Sequence, residues 1–371
     1  MTSSLLQAPR KVSYAQFALI ALVLFLATKF CTLPSVLAEE AGAKSVFSAL
    51  ILFFADCLLL YFAMKTAKQG GLFSLDIPRG FKIAAGIPLL LFFALKLAAF
   101  SREIATYFAL SLFESVPVLP ISVILFVFLC LFADKGFAAI GRVLEIFVWF
   151  FVFVFLFVII FTRTEGDLFN ALAIVSPDFG KVGGALFKCL GWYGDTALLI
   201  LLDLREKAPT VAASTPKKHK TVFAAAAFSF LALLVFYVVF TAVYGEAAKM
   251  TDYAFIKLSA FKANTDELGS ADWPMITLWS VLSFSYLALI LLAGKECLLQ
   301  LFRKESKTTG RWAFAVIAVF ALLFSFFLLD EEKEYHAFMT KVMNVVTLVA
   351  GALTLAAGAT ALYKEKNEKQ D

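Results

Sequence analysis

Ten times along this chain an apolar run of membrane-crossing length is followed by a short polar or Pro/Gly-containing turn. A window of about 19 residues places these runs near 14–37, 45–64, 83–113, 117–133, 140–162, 182–204, 221–244, 273–299, 311–329 and 338–362. Lipid offers no hydrogen-bond partner for backbone groups, so such a chain can only be helical or a closed barrel. The runs lack strict alternation of apolar and polar residues, which excludes the barrel. With 61% hydrophobic residues, 16% charged and a mean hydropathy of +0.87, the composition is that of an integral membrane protein. One all-α membrane domain over 1–371 is expected, dividing into five-helix halves at 1–162 and 163–371.

The direction follows from charge. With the N-terminus inside, Lys and Arg in the connections and helix ends divide twenty-one to eight in favour of the inner side. Under the positive-inside rule both termini are cytoplasmic. The net charge of +5 therefore reflects topology and gives no sign of nucleic acid. The longest external connection, 245–272, carries helix-like apolar spacing in DYAFIKLSAF, expected as a short helix over the outer face, a lid or a plain linker.

Other chemistry is poorly supported. Cys31, Cys57, Cys130, Cys189 and Cys297 all lie in apolar segments without paired spacing, and His219 and His336 fall in different connections. No metal site, cofactor or disulfide framework is expected. Nor does any nucleophile–base pair or phosphate loop suggest an enzyme.

Ionisable residues near a span's centre cost about 2.5–3.5 kcal/mol on insertion scales and usually mark a site. Four stand out here: Lys29, Asp56, Lys96 and Asp195. Arg102 and Glu103 lie in the outer third of the third span, within reach of water or of each other's neighbours. Arg142 and Glu145 are three residues apart at the start of the fifth, as a structural pair would be. The four central charges either neutralise one another as a structural cluster or line a polar midplane cavity.

Two of them coincide with interruptions. The first span reads FLATKFCTLPSVLAEEAG, with Lys29 and Pro34 inside the apolar run. The sixth reads FKCLGWYGDTALLILLDLREK, where Gly191, Trp192, Tyr193 and Gly194 precede Asp195. Interrupted segments at corresponding places in two halves point to an inverted-repeat transporter, whose unwound backbone surrounds a midplane site.

In order and spacing, the chain resembles the spore germination permease family, the B subunits of bacterial germinant receptors, within the amino acid–polyamine–organocation superfamily. The similarity is carried by Gln16 through Ala27-Thr28-Lys29 to Leu33-Pro34, by Arg102 and Pro117 in SREIATYFALSLFESVP, by Gly136, Arg142 and Glu145 in KGFAAIGRVLEI, and by IVSPDFGKVGGALFKCLGWYGD. It implies a ten-helix LeuT-like 5+5 fold with helices one and six broken, in the inner membrane of a bacterial spore. An amino acid or related small molecule would bind between helices one, three, six and eight. A larger A subunit and a lipoprotein C subunit would be partners. Ala27, Thr28, Lys29, Lys96, Gly191, Trp192, Tyr193, Gly194, Asp195, Ser285 and Tyr286 are the expected ligand-site residues, with Asp56, Arg102 and Glu145 as intramembrane charges. The chain departs from the family where Ala27-Thr28-Lys29 replaces glycines and where DELGSADW replaces a Glu-Arg motif before helix eight. A coupled amino acid transporter acting alone is the alternative, and a non-transporting scaffold is a third reading.

Overall fold

The computed structural model describes residues 11–111, 116–162, 167–174, 180–204, 215–260, 272–302, 307–329 and 331–367. The SPDF stretch, residues 261–271 of the 245–272 connection, most of DELGSADW, Arg205 and Lys207 lie outside them.

What is described is almost entirely helical. The first apolar run forms α1 (Tyr14–Leu26) and α2 (Leu33–Ala41), followed by α3 (Ser45–Lys68) and α4 (Arg79–Ser111). Next come α5 (Val118–Ala133), α6 (Phe137–Thr162), a short α7 (Leu168–Ala173) and α8 (Val182–Lys188). The second half continues with α9 (Thr215–Tyr244), a short α10 (Ala254–Ala260), α11 (Asp272–Phe302), α12 (Lys307–Leu328), α13 (Glu332–Ala337) and α14 (Asn344–Asn367). α1 starts from a capping box, in which Ser13 accepts the Gln16 amide and Gln16 returns the bond to the Ser13 amide.

Among the described residues six helical stretches are long and apolar enough to cross a membrane, and α5 with the first part of α6 makes a seventh only as a pair bent by 105°. Ten spans are not recovered by length alone, for a physical reason. α1 has 13 residues and α8 has 7. At 1.5 Å per residue neither alone covers a core of about 30 Å. At the other extreme α4 has 33 residues, a length of about 50 Å that requires tilt.

Packing sets α1 against α9, α4 against α11 and α3 against α14, with the segment after α8 held between α3, α1 and α14. Exposed Phe128, Trp149, Phe153 and Phe327 form part of an apolar outer surface suited to lipid. The inversion is in the centre: Lys29, Lys96 and Asp195 are 0% exposed and Asp56 1%.

Candidate functional site at the two broken helices

α1 ends at Leu26 and α2 begins at Leu33, so Ala27–Thr32 interrupt the first run where Lys29 was expected to sit. The interruption has no glycine. Its backbone groups are instead met from elsewhere: the Tyr237 hydroxyl donates to the Lys29 carbonyl at 3.1 Å, and the Ala254 and Phe255 amides donate to the carbonyls of Cys31 and Phe30. The Thr32 amide donates to Glu103 at 3.1 Å. Buried backbone polar groups need partners, and here three other elements supply them. The short helix α10 thus docks on the broken helix through its first amides.

The second break is built differently. After α8 a 3₁₀ turn spans Leu190–Trp192, Tyr193 is extended, and Gly194 adopts φ +81°. That left-handed conformation disfavours any residue with a Cβ, and a Cβ there would lie 2.6 Å from Thr347 Cγ2. Gly191 serves packing instead: a Cβ would collide with the Met339 carbonyl oxygen on the neighbouring π-helical turn Phe338–Met343. Asn344, just after that turn, accepts the Gly191 amide and donates to the Phe187 and Lys188 carbonyls. Beyond the break, Asp195–Leu201 run as seven residues of 3₁₀ helix. Such runs rarely exceed four residues and often mark a hinge.

Between the breaks lies the charged cluster. Lys29 Nζ stands 2.8 Å from Asp195 Oδ2, and Lys96 Nζ stands 2.8 Å from Asp195 Oδ1. The Tyr286 hydroxyl donates to Oδ1 at 3.0 Å, and the Thr28 hydroxyl faces Oδ2 at 3.4 Å and the Trp192 carbonyl at 3.3 Å. Lys29 also donates to Thr28 Oγ1 at 2.9 Å and the Leu24 carbonyl at 3.3 Å, and Lys96 to the Tyr193 carbonyl at 3.1 Å. Aromatic faces complete the ammonium shells: Tyr193 lies 4.8 Å from Lys29, and Phe100 5.3 Å from Lys96. Asp56 accepts the Gly194 amide at 2.8 Å through Oδ1, while its Oδ2 has no hydrogen-bond partner among the described residues.

One carboxylate therefore holds two lysines, and a second carboxylate anchors the adjacent backbone. α10 lies against the first break. Beyond the 3₁₀ run, Leu202–Leu204 pair with neighbouring backbone: the Val12 amide donates to the Asp203 carbonyl and the Leu204 amide to the Ala67 carbonyl.

Of the expected site residues, Ala27, Thr28, Lys29, Lys96, Gly191, Trp192, Tyr193, Gly194, Asp195 and Tyr286 come together here, with Asp56 beside them. Ser285 does not join its neighbour: it is buried against an apolar cavity with Ile104, Phe108, Phe132 and Phe284. One residue along a helix turns a side chain by about 100°, so Ser285 and Tyr286 could not both face the cluster. Arg102 is partly buried on α4, and Glu145 is exposed on α6. Of the two expectations for Glu103, water or neighbouring groups, the second holds: it is 4% exposed and accepts the Tyr335 hydroxyl at 2.9 Å as well as the Thr32 amide.

Sequence reasoning missed Asn344, Tyr237 and Tyr335. Asn344 had one signal, a lone amide at the head of an apolar span. The tyrosines had none: Tyr237 reads equally well as core of its span, and Tyr335 lies in the polar connection between two spans.

A search of curated protein sequences found no match. A family model described as "Spore germination protein" matches residues 11–334. Among solved structures, a Na⁺-coupled sialic acid symporter in a substrate-bound outward-open state aligns with TM-score 0.58 and 11% identity, over 97% of this chain and 94% of that one. A manganese transporter from Eremococcus coleocola aligns with TM-score 0.56 and 15% identity, over 91% and 76%. A nucleobase–cation-symport-1 family transporter in a closed conformation aligns with TM-score 0.50 and 17% identity, over 90% and 75%. At these identities the likeness establishes the fold alone, one shared with these three transporters. The chain belongs to the spore germination permease family.

Proposed function

We propose that this chain is the B subunit of a nutrient germinant receptor, sensing an amino acid-like molecule at the midplane and passing the change to an A subunit and a lipoprotein C subunit. It would cross the inner spore membrane ten times in two five-helix repeats, 1–162 and 163–371, with both termini cytoplasmic. The observation that supports this reading is the double engagement of Asp195 by Lys29 and Lys96. A ligand carboxylate reaching those ammonium groups has to displace the protein's own. Asp195 begins the seven-residue 3₁₀ run, so its displacement moves the inner half of helix six. A ligand shifts a conformational equilibrium only through differential affinity for its states, and exchange of one carboxylate for another supplies it.

The test is germination of spores carrying Lys29→Met, scored as the fall in optical density with single amino acids. A normally inserted variant that no longer responds supports the reading; one that responds like wild type removes Lys29 from ligand recognition. Orientation is tested separately. Lys257→Cys should react with an impermeant thiol reagent from outside, and Lys366→Cys only after permeabilisation. Both positions are exposed, and the reverse pattern overturns the topology.

A second reading, a proton- or sodium-coupled transporter acting alone, is favoured by the unpartnered Oδ2 of Asp56. A buried carboxylate oxygen without a donor is suited to taking a proton or a cation. Concentrative uptake of labelled amino acid by the isolated protein in liposomes, abolished by Asp56→Asn, would decide for it.

A further inference from the structure

At the midplane every lysine has a carboxylate at hydrogen-bond distance. A polar cavity at the end of the bundle, between α2, the 3₁₀ turn Gly245–Met250 and α13, is the opposite. It measures about 590 Å³, within the range of small-molecule sites, and is lined by Ser35, Glu39, Lys249, Asp252, Lys333 and His336. The acids come from α2 and the link before α10, and the bases from α13 and the 3₁₀ turn Gly245–Met250. Among the described residues Glu39, Asp252 and Lys333 make no ion pair with one another or with any other group. Lys249 has only an exposed contact with Glu246 at 3.4 Å, and such surface pairs are weak. Charges of both signs thus surround a cavity without satisfying each other.

The cavity floor is joined to the first helix break. The Ser35 hydroxyl, which is buried, sits 3.1 Å from Asp252 Oδ1 and donates to the Thr32 carbonyl at 2.7 Å. The Thr32 amide in turn binds Glu103, which also receives the hydroxyl of Tyr335, the residue before His336 on α13. Polar contacts at Ser35 and Thr32 therefore link the cavity to Glu103, the carboxylate seven residues beyond Lys96 on α4.

We propose that this outer cavity is a binding site for a small zwitterion, an α-amino acid in chemical class, with Asp252 and Glu39 receiving the ammonium group and Lys333 the carboxylate. Charge-assisted hydrogen bonds of this kind are roughly twice as strong as neutral ones. Occupation draws Asp252 from Ser35 and loosens the tie between α2 and Glu103. The ligand meets this site first because no internal ion pair has to be broken to enter it. The inference rests on the reading of the chain as a small-molecule sensor, but not on binding at the midplane.

The experiment is calorimetric titration of the full chain in nanodiscs with each of the twenty protein amino acids, with propionate and ethylamine as half-charged probes. Asp252→Asn, which keeps an oxygen for Ser35, and Lys333→Gln should each weaken the best amino acid at least tenfold with unchanged thermal unfolding. The half-charged probes should bind at least tenfold more weakly than that amino acid. If Asp252→Asn/Lys333→Gln binds like wild type while Lys29→Met does not, the outer site is overturned and the midplane reading stands. Equal binding of propionate or ethylamine overturns the zwitterion assignment. Absence of binding by every amino acid overturns the outer site outright, and the germination assay then judges the midplane reading independently.

Discussion

The two helix breaks reach the same end by different routes. In helix six the interruption is written into the backbone: Gly194 occupies a left-handed conformation, and Gly191 sits where no side chain fits against Met339. In helix one, Ala27–Thr32 contain no glycine and no residue with positive φ. That break persists because Tyr237, Glu103 and the first amides of α10 take up its free backbone groups. A break of the first kind is set by its own backbone, even though Asn344 and Asp56 also hold it. One of the second kind depends on its neighbours and is open to release, as a switching element has to be.

The comparison breaks most severely at Asp195, the residue shared by both routes. Replacing it with leucine leaves two buried ammonium groups uncompensated. Loss of one partner of a buried pair costs about 3–5 kcal/mol, so Asp195→Leu should lower thermal stability more than any other single change here. If Lys29 and Asp195 formed an isolated pair, Lys29→Met/Asp195→Leu would restore stability. Because Lys96 also depends on Asp195, the double variant should recover only partly, and adding Lys96→Met should recover more. Full recovery in the double variant would mean that Lys96 is held by another group.

Next in size is Gly194→Leu. Forcing a branched residue into that conformation costs about 1–3 kcal/mol of backbone strain, before the clash with Thr347. Ligand response should be lost while the protein still inserts; an unimpaired response would return GWYG to ordinary helix packing.

Tyr237→Phe tests the tertiary route, since it leaves the buried Lys29 carbonyl without its donor. A buried group stripped of its partner costs about 1–3 kcal/mol, at the lower end here because the carbonyl is neutral. Hydrogen exchange in residues 27–32 should rise with little change in 191–195. Equal change at both breaks would show them to be one cooperative unit. The smallest effect belongs to Ser285→Ala, expected within about 0.5 kcal/mol of wild type and with normal response, in contrast to its neighbour Tyr286. A lost response in Ser285→Ala would move the pocket wall.

By itself, the sequence determined the solvent, the helical class and the place of both interruptions. These follow from local quantities: apolar length, the φ freedom of glycine, and the cost of an isolated charge in lipid. It also singled out Lys29, Asp56, Lys96 and Asp195, because a charge at a span's centre is anomalous wherever its partner lies. Only the tertiary structure decided how those charges are shared, that Asp195 serves both lysines while Asp56 holds the Gly194 amide. The same is true of Tyr286 over Ser285, of Asn344 behind the second break, and of α10 upon the first. Each of those outcomes depends on which faces of distant helices meet. A side chain's role there is set by neighbours more than 90 positions away in the chain, as with Tyr286 and Asp195 at a separation of 91, and no periodicity within one span records them.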